Sequence, residues 1–338
     1  MNTVQEHYAR HLDRVDELVR REVARWRRDE VEHLVGLADA HLQRRGKRLR
    51  PLLSFAVTDL LGGDLALATM PAASVELYHL AALIVDDVQD NSETRRGEPS
   101  VHKATSKSTA INLALFVRSL SYQLVGQFPD TDLERKLRLY RELDGAATRI
   151  VLGQSVDIGW QEGWYSSFSD YPYAHMIEWK TGALFGCAAA MGACVAGADH
   201  HTVGAARDYG ISFGAFYQMV DDFLDAFGDG SFLRKPPHED FREGKMTEPL
   251  IRLLCALQKA GHSATADLVL RQLGHGESAT DGWGWLLDLM REHDVQSELR
   301  HDLAERATTL ASPPFGARAA GSSSLRLLVD QIVEPALR

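Results

Sequence analysis

A chain of 338 residues, 45% of them hydrophobic, is long enough to bury a large core, and its net charge of −10 lacks the basic stripe that bulk nucleic-acid binding requires. The three cysteines, Cys187, Cys194 and Cys255, have no metal-ligand spacing, and so sparse and odd a set reads as reduced, intracellular and cytoplasmic. The stretch from Glu6 to Glu30 is too densely charged for a secretory signal.

Helical periodicity runs the length of the chain. Val15, Leu18, Val19, Val23 and Trp26 recur at mostly three- and four-residue spacing and predict the apolar face of a first helix. Leu52 to Leu61 is mostly apolar and stops at Gly62-Gly63. Pro71 is expected in the first turn of the next helix, which runs through Glu76 and His79 into Asp86-Asp87-Val88-Gln89-Asp90. Helices follow over Thr109–Gln127 and Leu133–Asp157, then, after an aromatic connection from Gly159 to Pro172, over Tyr173–Gly197 and Val203–Phe227. Gly228 to Lys245, rich in Gly, Pro and charge, is expected to be a loop and a candidate lid. Further helices, broken near Gly274–Gly282 and at Pro313-Pro314, lead to the C-terminus. No stretch alternates as a strand would. The expectation is an all-α, single-domain bundle over residues 1–338, with roughly ten or more helices around one cavity. Thr181 to Ala198 is uncharged and close to membrane-span length, but its Ala and Gly content favours a tightly packed core helix over membrane insertion.

The acidic motif returns as Asp221-Asp222-Phe223-Leu224-Asp225, preceded by Phe216-Tyr217-Gln218-Met219-Val220. On a helix, positions i, i+1 and i+4 point to roughly one side. Each motif therefore lines carboxylates along a helix that its apolar neighbours mark as largely buried. Such a density of buried negative charge demands cations. Mg2+ fits, because it takes one or two carboxylates and fills its shell with water and phosphate oxygens.

Basic residues stand at particular places. Arg44-Arg45-Gly46-Lys47-Arg48-Leu49-Arg50-Pro51 is the densest run, readable as a solvated helix end or as an anion-binding loop. Arg95-Arg96-Gly97 follows the first acidic motif, where a surface ion pair with Asp90 competes with bidentate phosphate binding. Lys180, Lys235 and Lys245 taken singly would be surface charge; their spacing around two carboxylate clusters favours phosphate. His79 lies seven residues before Asp86, two turns away on one face, and is readable as a core histidine or a diphosphate contact. Gln154 and Asp157 are readable as core polar residues with local partners.

Gly46-Lys47-Arg48-Leu49-Arg50-Pro51, the first Asp-rich block with Arg95-Arg96-Gly97-Glu98-Pro99, Gly153-Gln154, Lys180-Thr181-Gly182, Gln218 through Asp225, and Lys235 through Lys245 occur in one order from about residue 44 to residue 250. This series resembles the trans-isoprenyl diphosphate synthases, in particular those making geranylgeranyl diphosphate. The resemblance implies the isoprenoid synthase type I fold and a homodimer. It implies Mg2+, three ions per site, held by Asp86, Asp87, Asp90, Asp221, Asp222 and Asp225. An allylic diphosphate of five to fifteen carbons would bind between the two clusters and meet Arg95, Lys180, Lys235 and Lys245, while Lys47, Arg50, His79 and Arg96 would hold isopentenyl diphosphate. Thr181 and Gln218 would flank the allylic cation beside Lys180, and the loop holding Asp240 and Lys245 would close against water. Ala81 and Ala82, small residues one turn before Asp86, would wall a tunnel deep enough for a C20 product, with Phe116 and Tyr122 as candidate floor residues.

Three positions depart from the family pattern: Ala114-Leu115, Tyr217 before Gln218, and Pro237-His238 after Lys235. None removes an expected ligand. A class I terpene cyclase would be expected to replace the second acidic motif and has no use for the basic set around Lys47 and Arg50. A non-catalytic partner subunit would be expected to have lost carboxylates from one cluster. A helical metal-binding protein without phosphate chemistry leaves the paired arginines unexplained.

Overall fold

A computed structural model describes residues 3–43, 46–228, 237–274, 283–315 and 319–338. Helices dominate, and among the described residues the only strands are Thr94–Arg95 and Glu98–Pro99, paired antiparallel. Contacts divide the chain into two compact units: Met1–Thr148 with Ala183–Ile211 and Ala311–Leu328, and Arg149–Gly182 with Ser212–Leu310 and Val329–Arg338. The boundaries fall inside the helices Leu133–Gln161, His200–Phe227 and Ala319–Leu337.

In the first unit, the helix Ala9–Ala24 buries Val15, Val19 and Val23. Trp26, expected on that face, is 44% exposed, because the helix stops at Ala24 and the chain turns away through Trp26 N–H to Val23 and Arg27 N–H to Ala24. Helix Leu49–Leu60 is almost wholly buried and ends in a Schellman turn. Gly62 takes φ 78°, its N–H reaches Asp59 O, and the Gly63 N–H reaches Thr58 O at 2.8 Å.

The next helix spans Leu65–Gln89. Asp64 caps it by accepting the Ala66 N–H at 2.7 Å. Pro71 is therefore in the helix interior and not in its first turn, at the expense of one backbone hydrogen bond. This helix packs along Lys107–Gly126, which is capped by Ser106, and Ser74 Oγ donates to Ser121 O across the contact.

Every residue of Ala183–Val195 is buried. Its small side chains explain why: a Cβ on Gly192 would sit 2.5 Å from Ser54 O, and one on Gly210 2.6 Å from Phe185 O. Only glycine lets these backbones approach so closely. Among the described residues, the one helix with length and hydropathy enough to cross a membrane is Leu65–Gln89, with 67% of that window buried.

The helix Leu133–Gln161, whose Arg149–Gln161 part belongs to the second unit, runs four residues past its expected end. Helix Tyr173–Ile177 passes into a π-helical turn, Glu178–Gly182, where the sequence predicts unbroken α-helix. The second unit also holds helices Glu248–Lys259, Ser263–Gln272, Gly284–Glu292 and Val295–Leu310, the short helix Glu239–Glu243, and the parts of His200–Phe227 and Ala319–Leu337 from Ser212 and from Val329 onward.

Candidate active site

The first acidic helix ends on its own motif. Asp90 is the C-cap, Asn91 turns left-handed at φ 54°, and the Ser92 N–H reaches back to Asp87 O at 3.0 Å. The chain then makes the Thr94–Pro99 hairpin, whose turn residues Arg96 and Gly97 both have positive φ. That reversal brings Arg95 back over the helix. Its Nε donates to Asp87 Oδ1 at 2.7 Å, Nη2 donates to the same oxygen, and Nη2 lies 3.7 Å from Asp86 Oδ2. Burial nonetheless raises the Asp87 carboxyl above its ordinary range; Arg95 opposes this and the neighbouring Asp86 adds to it.

The basic motif is pinned at alternate positions within the same unit. Gly46 lies under the Arg96 guanidinium, where a Cβ would come within 2.6 Å of Nη2. Arg48 takes φ 54°, donates to Asp16 at 2.6 Å, and donates also to Glu76. Arg50 Nη1 contacts His79 Nε2 at 3.1 Å, with its guanidinium carbon 4.2 Å from the centre of the Phe185 ring. Since arginine cannot accept, His79 Nε2 is the acceptor and the ring is neutral with its proton on Nδ1. Burial, followed by Arg50, Arg96, Arg95 and Arg48, holds His79 well below its usual range. Arg50 and Arg96 thus gather as a cationic cluster around a neutral His79. Lys47 is exposed, and Arg44 and Arg45 lie outside the described residues.

In the second unit, Lys180 Nζ contacts Asp157 Oδ2 at 2.6 Å. Gly153 lets the Leu133–Gln161 helix approach that point, since a Cβ there would sit 2.3 Å from Lys180 N. Thr181 Oγ1 donates to Gln218 Oε1 at 2.9 Å, and Gln218 Nε2 donates to Asp222 Oδ1 at 2.8 Å. Tyr173 donates to Asp222 Oδ2 at 2.6 Å, and the Glu248 N–H reaches the same oxygen at 3.3 Å. Burial and Asp222 push Tyr173 well above its ordinary value, so it stays a donor.

The wide turn explains this convergence. Tyr173 and Thr181 are eight residues apart, which in an α-helix places them roughly 80° out of phase. Absorbing one residue in a π turn leaves the equivalent of a heptad, within about 20° of two full turns. Both side chains then reach the Gln218–Asp222 pair, itself one turn long on the second acidic helix.

Asp225 accepts from the backbone N–H groups of Glu239 and Asp240 at 3.2 and 3.1 Å, and so holds the start of the short helix Glu239–Glu243. Lys245 pairs with Glu243 at 2.6 Å, and its N–H donates to Asp240 O. Asp221 is half-buried, and Lys235 lies outside the described residues. On the first acidic helix Ala81 is buried and Ala82 half-buried, as are Phe116 and Tyr122 on Lys107–Gly126.

Among the described residues, no three His, Cys, Asp or Glu side chains cluster closely enough to hold a metal ion alone. The donor set is nevertheless hard carboxylate oxygen throughout. Burial, then Asp240 and, more weakly, Asp221, push Asp222 up to about 8 against two donated hydrogen bonds, an excess of negative charge that a divalent cation would relieve. One or two carboxylates completed by water and phosphate oxygens suit Mg2+, so the residues fit that ion.

Periodicity and spacing do not single out Gly153, Arg48 or Tyr173 for the parts they play. Gly153 has a signal, a small residue beside a polar one in a helix. Arg48 and Tyr173 act through contacts distant in sequence.

An all-helical frame with two DDxxD helices and a pinned basic loop is of the isoprenoid synthase class. The polyprenyl synthetase family model matches residues 31–278, and the chain belongs to that family. It is similar to a geranylgeranyl diphosphate synthase of Saccharolobus solfataricus, 31% identical over 270 residues, 79% of this chain and 78% of that one. A geranylfarnesyl diphosphate synthase of Aeropyrum pernix is 32% identical over 312 residues, 88% of this chain and 93% of that one. A polyprenyl synthase from Caulobacter crescentus, solved with calcium and isoprenyl diphosphate, superposes with a TM-score of 0.82 at 26% identity, covering 99% of this chain and 97% of that one.

Proposed function

We propose that the protein joins isopentenyl diphosphate head-to-tail to an allylic diphosphate of five to fifteen carbons, giving a trans-prenyl diphosphate of twenty carbons. The observation that carries this is the basic cluster of Arg50, Arg96 and neutral His79, with Lys47 next in sequence to Gly46 and Arg48. Coupling needs a diphosphate site separate from the acidic helix ends; cyclisation does not. Neutral His79 offers its Nδ1–H as a donor while Arg50 and Arg96 supply charge.

Asp86, Asp87, Asp90, Asp221, Asp222 and Asp225 are the residues that would hold Mg2+, three ions by family likeness. Bound there, Mg2+ supplies Lewis-acid neutralisation of the leaving diphosphate. Arg95, Lys180, Lys235 and Lys245 bind that diphosphate through charge-assisted hydrogen bonds. Because Thr181 gives its proton to Gln218, its oxygen lone pairs are left to face positive charge developing on the allylic carbon. The allylic C–O bond breaks, a C–C bond forms to the isopentenyl double bond, and a proton is lost to restore an allylic diphosphate. Ala81 and Ala82 leave room for the growing tail. We infer further that the protein is a cytoplasmic homodimer; the exposed apolar pair Ile111 and Leu115, one turn apart on Lys107–Gly126, supports a covered face.

The test incubates purified protein with Mg2+, isopentenyl diphosphate and each of the C5, C10 and C15 allylic diphosphates, and reads chain length after phosphatase treatment. Elongation to C20 is expected. A hydrocarbon without elongation would refute coupling in favour of cyclisation.

A further inference from the structure

The basic motif is fixed at every second residue, and the partners come from three different elements. Gly46 is covered by Arg96 from the hairpin, and Arg50 meets His79 from the first acidic helix. Arg48, between them, bridges Glu76 on that same helix and Asp16 on Ala9–Ala24. All three members of this bridge are withdrawn from solvent, with side chains 16%, 8% and 8% exposed for Arg48, Asp16 and Glu76.

Arg48 also occupies a left-handed backbone conformation that side-chain-bearing residues rarely adopt, and it caps helix Leu49–Leu60 without any side-chain bond to the helix backbone. Its guanidinium is engaged elsewhere. The backbone inversion at Arg48 decides where Lys47 leaves the turn and where Arg50 enters the helix. A conformation so unfavourable locally persists only when its surroundings hold it. Here they do so through two carboxylates. Glu76 is three residues from His79 on one helix, so it fixes Arg48 to the same wall that receives Arg50. Asp16 fixes it to a second wall. That second wall lies outside residues 31–278, which the family model covers.

We propose that Asp16 is a positioning residue for the isopentenyl diphosphate subsite, acting through Arg48 on Lys47 and Arg50; this rests on the function proposed above. Asp16 touches no reacting atom. Its effect is directional: none of the contacts made by Asp87 with Arg95, or by Asp222 with Tyr173 and Gln218, involves it. Loss of its charge should therefore weaken one substrate and not the other.

Asp16→Asn keeps the shape and removes the charge. The expected result is a KM for isopentenyl diphosphate raised about tenfold, with kcat and the allylic KM within about twofold of wild type. Asp16→Glu, which restores the charge with the carboxylate one methylene further out, should recover most of the loss; should Asp16→Asn fail to fold, Asp16→Glu carries the test with a rise of about threefold. Glu22→Gln is the control. Glu22 is a buried carboxylate on the same helix, bonded to Gln127 and Arg25 and remote from Arg48 in its contacts. It should lower the thermal midpoint without moving the isopentenyl KM. The proposal is overturned by an unchanged isopentenyl KM in the folded Asp16 variant, or by equal rises in Asp16→Asn and Glu22→Gln. A parallel fall of all kinetic constants with the midpoint would also overturn it. A wild-type protein that does not elongate at all removes the proposed function, and this inference with it, before any variant is compared.

Discussion

Replacing Gly153 with alanine puts one methyl group against backbone alone. The added Cβ would lie 2.3 Å from Lys180 N and 2.8 Å from both Lys180 Cα and Trp179 C. No flexible side-chain end is there to yield, so the helix and the π turn must separate by roughly 1 Å to reach ordinary contact. Overpacking of this kind costs about 1–3 kcal/mol. At about 2–4 °C per kcal/mol, the melting temperature should fall by several degrees. The kinetic effect should be larger. Lys180 and Thr181 both ride on the displaced segment, and a misplacement of about 1 Å near reacting groups can cost around a hundredfold in rate. The assay is kcat for prenyl transfer alongside melting followed by circular dichroism, with Gly204→Ala for comparison. Gly204 is helical, and a methyl group added there would meet no atom within 4 Å, so alanine should be neutral or stabilising by up to about 1 kcal/mol. A Gly153→Ala protein with wild-type kcat and melting temperature would refute the reasoning.

Asp86→Asn and Asp221→Asn should each lower turnover by orders of magnitude while leaving the helical circular dichroism intact, and near-wild-type rates in either would remove that carboxylate from the metal set. In metal-free protein, Asp222 stays protonated up to about pH 8 when folded but ionises at roughly pH 3.9 when unfolded. The folded state therefore binds the extra proton across that window, so stability should fall as pH rises from about 4 to about 8. Adding Mg2+ should reverse the fall, and a chelator should restore it; a flat melting profile in chelator would contradict the assignment. Ala82→Phe should shorten the product, read by chromatography of the dephosphorylated prenols, and an unchanged C20 product would put the floor of the tunnel elsewhere.

Much of the helical layout is legible because apolar period and punctuation agree. Gly62-Gly63 reads as a stop and is a Schellman turn, and the Ala- and Gly-rich stretch reads as a core helix, with Ala183–Val195 buried at every position. The misplacements have local causes. Proline's preference for a helix start points Pro71 there, whereas Asp64 offers a better cap seven residues earlier. Trp26 fits the period of a helix that has already ended.

Within the candidate site, residue types are readable but partners are not. Spacing offers Asp90 as a partner for Arg95, and it does not show that the hairpin turns the guanidinium onto Asp87 and Asp86. Arg48 looks like one more charge in a solvated run; contacts to Asp16 and Glu76, 32 and 28 residues away, withdraw it from solvent. Such pairings depend on how helices pack, which local periodicity does not encode.

The π turn at Glu178–Gly182 makes this segment sensitive to length in one direction. Its wide hydrogen bonding already accommodates one residue more than an α-helix would. A single-codon deletion inside the turn would yield a more regular helix and leave the Tyr173 and Thr181 side chains about seven residues apart, within about 20° of two full turns, so their common hold on Gln218 and Asp222 should survive it. A single-codon insertion into the widened turn would instead add roughly 100° between them and break that hold. For this stretch, a one-residue gain is a heavier lesion than a one-residue gap.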